Sequence, residues 1–148
     1  VLGVINIPTL NQIFIVEKDK GAYLNNRKIH VSNVSTLKES MITFDSAFYL
    51  RKKKILRIFS KLIDNVFRVR LPGTAVFELS AIAQGITSAH IGFFTNSWDV
   101  SAGFLLIREA GGNITDHQGR NVDHYCREFV ATNGIIHQEI LECIGNIR

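Results

Sequence analysis

Residues 98–110 place apolar side chains at Trp98, Val100, Phe104, Leu105, Leu106 and Ile107, positions that run around the whole circumference of a helix. A surface helix keeps its apolar residues on one stripe, whereas a helix that is apolar all round is buried on several sides. The chain must therefore supply structure on at least two sides of this segment, as between two sheets. Thr95-Asn96-Ser97 reads as the capping loop before it and Gly111-Gly112 as the stop after it.

The same grammar recurs just upstream. Residues 66–71 are strand-like, Pro72-Gly73 breaks the strand, and Thr74 can cap a helix with apolar positions Val76, Leu79, Ile82 and Ala83 that ends at Gly85. Strands are expected at 41–44, 89–94, 113–116 and 129–131, an amphipathic helix over 46–62 and a closing helix over 135–147. The opening third differs. Residues 1–7, 13–16, 21–24 and 28–31 are short runs suited to strands, the last two joined by an Asn25-Asn26 tight turn. That is an antiparallel meander, followed by strands alternating with helices. The fold class is α/β (α+β) in layers, with 1–44 as terminal strands of an N-terminal antiparallel sheet and 45–148 as an α/β domain.

Composition sets the outer limits. With 148 residues, 46% hydrophobic and 20% charged, the chain can bury one sizeable core. No apolar run approaches the roughly 20 residues that span a bilayer, and no signal segment opens the chain, so no membrane partner is expected. Cys126 and Cys143 stand singly, as reduced thiols in a cytoplasm would. The net charge of +4 gathers at Arg51, Lys52, Lys53, Lys54 and Arg57, either a solvated helix face or a docking patch for nucleic acid or an acidic protein.

Two turns could hold chemistry, Gly73-Thr74-Ala75 and Ser97-Trp98-Asp99. Each joins a strand end to a helix start, where unpaired N–H groups and the positive dipole end favour anions. Asp99 lies in the first helical turn, where a carboxylate is stabilised by about 0.3–1 kcal/mol. The five histidines show no zinc-ligand spacing, and the nucleophile elbow, the phosphate-binding P-loop and the dinucleotide fingerprint are all missing. Serine hydrolase, P-loop and Rossmann dehydrogenase readings drop out.

WDVSAG at 98–103 followed by REAGGNITD at 108–116 resembles the C-terminal signature of the inositol monophosphatase family, WDxxAGxxLxxEAGG. RLPGTA at 70–75 is similar to its RxxGTA turn, and KGAYLNNRKIHVS at 20–32 to its KGxGAFxNGxxIxVS hairpin. The resemblance covers essentially the whole chain. It implies an αβαβα layered sandwich and a Mg²⁺-dependent phosphomonoesterase in which a metal-activated water attacks an inositol phosphate or similar small sugar phosphate. It also implies that Asp99 binds metal and lies near the substrate hydroxyl, that the backbone of Gly73, Thr74 and Ala75 lines the sugar or inositol ring, and that Trp98, Ala102 and Gly103 pack to hold Asp99. Homodimers are common in the family.

The pattern departs in two places. The family's first metal-binding glutamate and its DPxDGTxNF segment have no match here, so this chain is expected to be a C-terminal portion that is inactive alone. Gly92 stands where inositol phosphatases carry a glutamate that binds ring hydroxyls, which argues against tight inositol selectivity. The alternative function is a non-catalytic interaction protein on the same scaffold, meeting nucleic acid or transcription machinery through the basic face at 51–57.

Overall fold

The structure, a computed structural model, describes residues 1–46 and 48–145. It begins with four antiparallel strands in sequential order: β1 (Leu2–Ile7), β2 (Gln12–Glu17), β3 (Gly21–Leu24) and β4 (Arg27–Lys28). Alternation along β1 and β2 turns Gly3, Ile5, Phe14 and Val16 inward and leaves Leu2, Val4, Ile13 and Ile15 exposed. Asn25 and Asn26 take positive φ of 47° and 66°, as the two-residue turn between β3 and β4 requires. The last strand is shorter than the expected 28–31. The Ile29 N–H still donates to Ala22 O of β3, after which the backbone leaves the sheet and the Val31 N–H donates to Ala110 O at the end of a helix.

The second sheet contains β5 (Met41–Phe44), β6 (Arg68–Arg70), β7 (Ala89–Gly92), β8 (Asn113–Asp116) and β9 (Phe129–Thr132), in the order β6-β5-β7-β9-β8. Strand β5 runs parallel to both β6 and β7, while β9 is antiparallel to β7 and β8. Residues 41–44, expected with the opening meander, thus belong to this sheet. The change of sheet falls between Lys28 and Met41.

Four helices complete the layers: α1 (Lys52–Ile63), α2 (Ala75–Ala83), α3 (Ser97–Glu109) and α4 (His137–Gly145). Val100, Phe104, Leu106 and Ile107 of α3, with Leu79 and Ile82 of α2, share one core with Ile5, Phe14 and Val16 of the first sheet and Phe129 and Ala131 of the second. On the other face of the five-stranded sheet, Ile55, Ile58 and Leu62 of α1 meet Ile140 and Ile144 of α4 over Ile42, Phe44 and Ile91. The described residues therefore form a sheet, helix, sheet, helix stack, as the encircling apolar pattern of α3 demanded. No helix among them is long and apolar enough to cross a membrane.

Three further expectations, all concerning helices, need correction. The helix expected over 46–62 begins at Lys52, because Phe48 packs its ring on Phe44 and Phe59 from a preceding turn closed by Phe48 N–H to Ser46 O; position 47 within that span lies outside the described residues. Helix α4 begins at His137, because Asn133 Oδ1 takes the N–H groups of Ile135 and Ile136 in a capping turn. Its expected end at 147 lies outside the described residues. Trp98, counted among the buried faces of α3, is 79% exposed at the first turn.

Candidate functional site

Because β5, β6 and β7 are mutually parallel, their carboxyl ends open on one edge of the sheet. The chain leaves β6 through Pro72 and Gly73 and enters α2; it leaves β7 through Phe93, Phe94, Thr95 and Asn96 and enters α3. Both helix N-termini therefore lie at the same edge, where crevices form in open α/β sheets. A cleft of about 300 Å³ lies there, lined among others by Asp45, Gly73, Thr74, Ala75, Glu78, Asn96 and Asp99. Gly73, Thr74, Ala75 and Asp99 all reach this one cleft, whereas Ser97 and Trp98 of the second candidate turn do not line it.

The local geometry follows from the residue types. Gly73 has φ of +80°, open to glycine without strain, and Thr74 is extended at the N-cap of α2. The Thr74 side chain makes no capping hydrogen bond, contrary to the sequence expectation. Glu78 Oε1 accepts the Gly73 N–H at 3.4 Å instead, holding the turn from one helical turn further on. At α3, Asn96 is the N-cap and its side-chain amide donates to Asp99 Oδ2 at 3.3 Å, leaving the Asp99 carboxylate exposed. Phe94 has φ of 55°, a conformation that costs a non-glycine residue about 1–3 kcal/mol. Its carbonyl accepts from Arg127 and its ring lies under the Arg51 guanidinium, 5.6 Å away.

Beneath the cleft lies a pair the sequence did not announce. Glu78 is 2% exposed and His90 is fully buried, with Glu78 Oε2 3.6 Å from His90 Nε2. Burial pushes the Glu78 carboxyl up to about 7, with Asp45 adding to the push and the Gly73 N–H opposing it. Burial likewise pushes His90 down to about 3. Both groups are thus neutral between about pH 3 and pH 7. A lone glutamate within the otherwise uncharged AVFELSAIA helix was the available signal, since a carboxylate on a buried face needs a reason.

Two of the other histidines, His117 and His137, are buried within the fold. His137 bridges Thr115 and Thr132 through its two ring nitrogens, each at 2.9 Å. His117 packs edge-on to Phe93 near the Lys54 to Glu128 ion pair. A larger cleft of about 710 Å³ beside Lys54, His117 and Glu142 shares no lining residue with the cleft at the carboxyl ends of β5, β6 and β7. Both cysteines are free thiols, pushed up chiefly by burial.

A Mg²⁺ site fits these residues only in part. Asp99 offers an exposed carboxylate at a helix N-terminus, but among the described residues no group of three or more His, Cys, Asp or Glu is placed to hold a metal ion.

Gly92, the expected position of a hydroxyl-binding glutamate, points into the core. A Cβ built on it would lie 2.5 Å from Phe129 Cε1, so the register of β7 against β9 leaves no room for a side chain.

Comparison with known proteins bears on the whole of this architecture. The chain is 29% identical over 152 residues to a fructose-1,6-bisphosphatase/inositol-1-monophosphatase of Thermotoga maritima, covering 99% of this chain and 56% of that protein. It is 34% identical over 121 residues to a Nus factor SuhB of Xylella fastidiosa, covering 79% of this chain and 43% of the relative. The crystal structure of the extragenic suppressor protein SuhB from Bartonella henselae superposes with a TM-score of 0.95 at 28% identity, over 100% of this chain and 57% of that one. The chain spans about half the length of the relatives it matches. The sequence pattern of the inositol monophosphatase family matches residues 1–147, and with the layered fold and the strand-end cleft this places the chain in the inositol monophosphatase family.

Proposed function

We propose that the chain is part of a Mg²⁺-dependent phosphomonoesterase acting on inositol phosphate or a similar small sugar phosphate. In this reading Asp99 is one metal ligand, and the backbone of Gly73, Thr74 and Ala75 lines the sugar or inositol ring. One observation supports it above the others: two turns 24 residues apart in sequence, matching two family motifs, line one cleft at the carboxyl ends of parallel strands. The metal, where bound, would supply an activated water.

Mg²⁺ takes about six oxygens and usually one or two protein carboxylates. A single carboxylate at Asp99 does not make a two-metal site, so the remaining ligands are assigned to polypeptide beyond these 148 residues or to a chain of different sequence. Hydrolysis by this chain alone is expected to be absent.

The test is phosphate release from a panel of sugar and inositol phosphates, with and without Mg²⁺, by this chain and by the protein carrying the remainder of the family fold. The expected result is release only by the longer protein, dependent on Mg²⁺ and lost in Asp99→Asn. Release that survives Asp99→Asn overturns the assignment.

A second reading, interaction with nucleic acid or transcription machinery, rests on the exposed Arg51, Lys52 and Lys53 at the start of α1 and on the relative named as a Nus factor. Lys54 is half-buried against Glu128 and belongs to the fold. Charge reversal at Arg51, Lys52 and Lys53 should abolish binding to an RNA or polymerase partner; unchanged binding removes this reading.

A further inference from the structure

We propose that Glu78 is a positioning residue for the Gly73-Thr74-Ala75 turn, holding it through the Gly73 N–H and held in turn by His90. The proposal rests on the reading of that turn as the wall for the substrate ring.

The Thr43 hydroxyl donates to Ala89 O at 3.4 Å, so its oxygen is left to accept, and His90 Nδ1 lies 2.9 Å away. A neutral His90 that donates from Nδ1 has a bare lone pair on Nε2. That nitrogen is buried and has no hydrogen-bond partner, and Glu78 Oε2 stands 3.6 Å from it. A protonated Glu78 offers a donor on Oε2 to this lone pair across 3.6 Å, just beyond ordinary hydrogen-bond reach. The carboxyl is thereby oriented with Oε1 toward Gly73, whose N–H it accepts at 3.4 Å. The chain Thr43, His90, Glu78, Gly73 thus runs from the middle of the parallel sheet to the rim of the cleft, and it fixes a turn whose own cap residue, Thr74, supplies no side-chain bond.

The charged groups around Glu78 set how this support responds to pH. Asp45, at the end of β5, raises the energy of the Glu78 anion, and Asp99, at the start of α3, lines the same cleft; His90 below it is neutral, and the Gly73 N–H is the group that favours the anion. Loss of the Glu78 proton removes the donor toward His90 and strengthens acceptance from Gly73. The Gly73 amide therefore reports the state of Glu78.

The experiment follows the Gly73 amide in the ¹⁵N-labelled protein carrying the remainder of the family fold from pH 5.5 to 8.5, by chemical shift and hydrogen exchange, in wild type, Glu78→Gln and Glu78→Met. In wild type the Gly73 shift should titrate with a midpoint near neutrality. Glu78→Gln, which keeps an acceptor for Gly73 and a donor for His90, should lose the midpoint and keep the exchange rate within about twofold. Glu78→Met, of similar size, should lose both the midpoint and the acceptor, and Gly73 should exchange about tenfold faster while Ile91 and Leu106 stay protected. A Gly73 amide that shows no pH response in wild type, or that exchanges at the wild-type rate in a folded Glu78→Met chain, overturns the proposal. Should Glu78→Met fail to fold, the wild-type titration and the Gln variant decide it. No metal, ester or turnover enters the measurement, so its result stands apart from the Asp99→Asn assay.

Discussion

The ring of Phe129 occupies the place where any side chain on Gly92 would stand, with 2.5 Å between a Cβ at Gly92 and Phe129 Cε1. The two are register partners across β7 and β9. Adding even one methyl group there overpacks a core that is already closed, at a cost of about 1–3 kcal/mol. Gly92→Ala should lower stability in urea denaturation by that amount, Gly92→Glu by more, and Phe129→Leu added to Gly92→Ala should recover part of the loss. A Gly92→Glu chain as stable as wild type would show that the strand can re-aim its side chain, and the argument against inositol selectivity would lose its steric basis.

Gly103 on α3 faces Leu79 on α2, where a Cβ would lie 2.5 Å from Leu79 Cδ1. This close approach brings the start of α3, and with it Asp99, beside the turn before α2. Gly103→Ala is expected to cost about 1–3 kcal/mol and to be relieved by Leu79→Ala, which a double-mutant cycle in chemical denaturation measures. Additive losses would mean that the two helices do not meet as described.

The buried pair gives an unusual pH profile of stability. Glu78 is raised in the fold from 4.5 to about 7, so the stability it lends is fully present below pH 4.5 and lost as pH rises to 7. His90 is lowered from 6.5 to about 3, so the stability it lends is present above pH 6.5 and lost as pH falls toward 3. Between pH 4.5 and 6.5 the two slopes oppose each other, and wild type should be nearly flat from this source. Glu78→Gln removes one of them and should leave stability rising with pH, by up to about 1.4 kcal/mol per unit, in urea melts across that window. A flat profile in the variant would contradict the burial of His90.

The outer face of the four-stranded sheet carries Leu2, Val4, Ile13 and Ile15 at 64%, 55%, 46% and 39% exposure, next to the unpaired edge of β1. Contiguous apolar surface beside a free strand edge favours pairing with another chain. The isolated 148-residue chain should self-associate in light scattering, and Val4→Lys with Ile15→Lys should shift it toward monomer. A monodisperse wild-type monomer would rule this out.

What the sequence made legible was what a short stretch encodes by itself. The all-round apolar pattern of α3 demanded two covering layers, and the structure supplies them in both sheets. Gly73, Thr74, Ala75 and Asp99 stood out because strand, turn and helix start are local signals. The contribution of Glu78 and His90 was not visible, since nothing in residues 78 and 90 taken separately says that a helix and a strand will bring them within 3.6 Å. Trp98 misled for a related reason: a large apolar residue in a first helical turn projects past the sheet edge, where no layer covers it. The start of α1 was misplaced because Phe48 has the helical spacing yet reaches the same aromatic cluster from a turn.

Helix α3 is held at its middle and at its end by the four-stranded sheet, which lines no part of the cleft. Midway along it Ala102 meets Gly3 of β1, where a Cβ would come within 3.3 Å. At its end the Glu109 carboxylate takes the N–H groups of Asp19 and Gly21 at the turn between β2 and β3, each at 2.9 Å. Melting of that hairpin therefore cannot remain local, for it strips the last turn of α3 of its anchor and opens the core through Phe14 and Phe104 together. Amide exchange should find the two regions opening as a single cooperative unit, so that the lifetime of the cleft is set by a hairpin that contributes no residue to it.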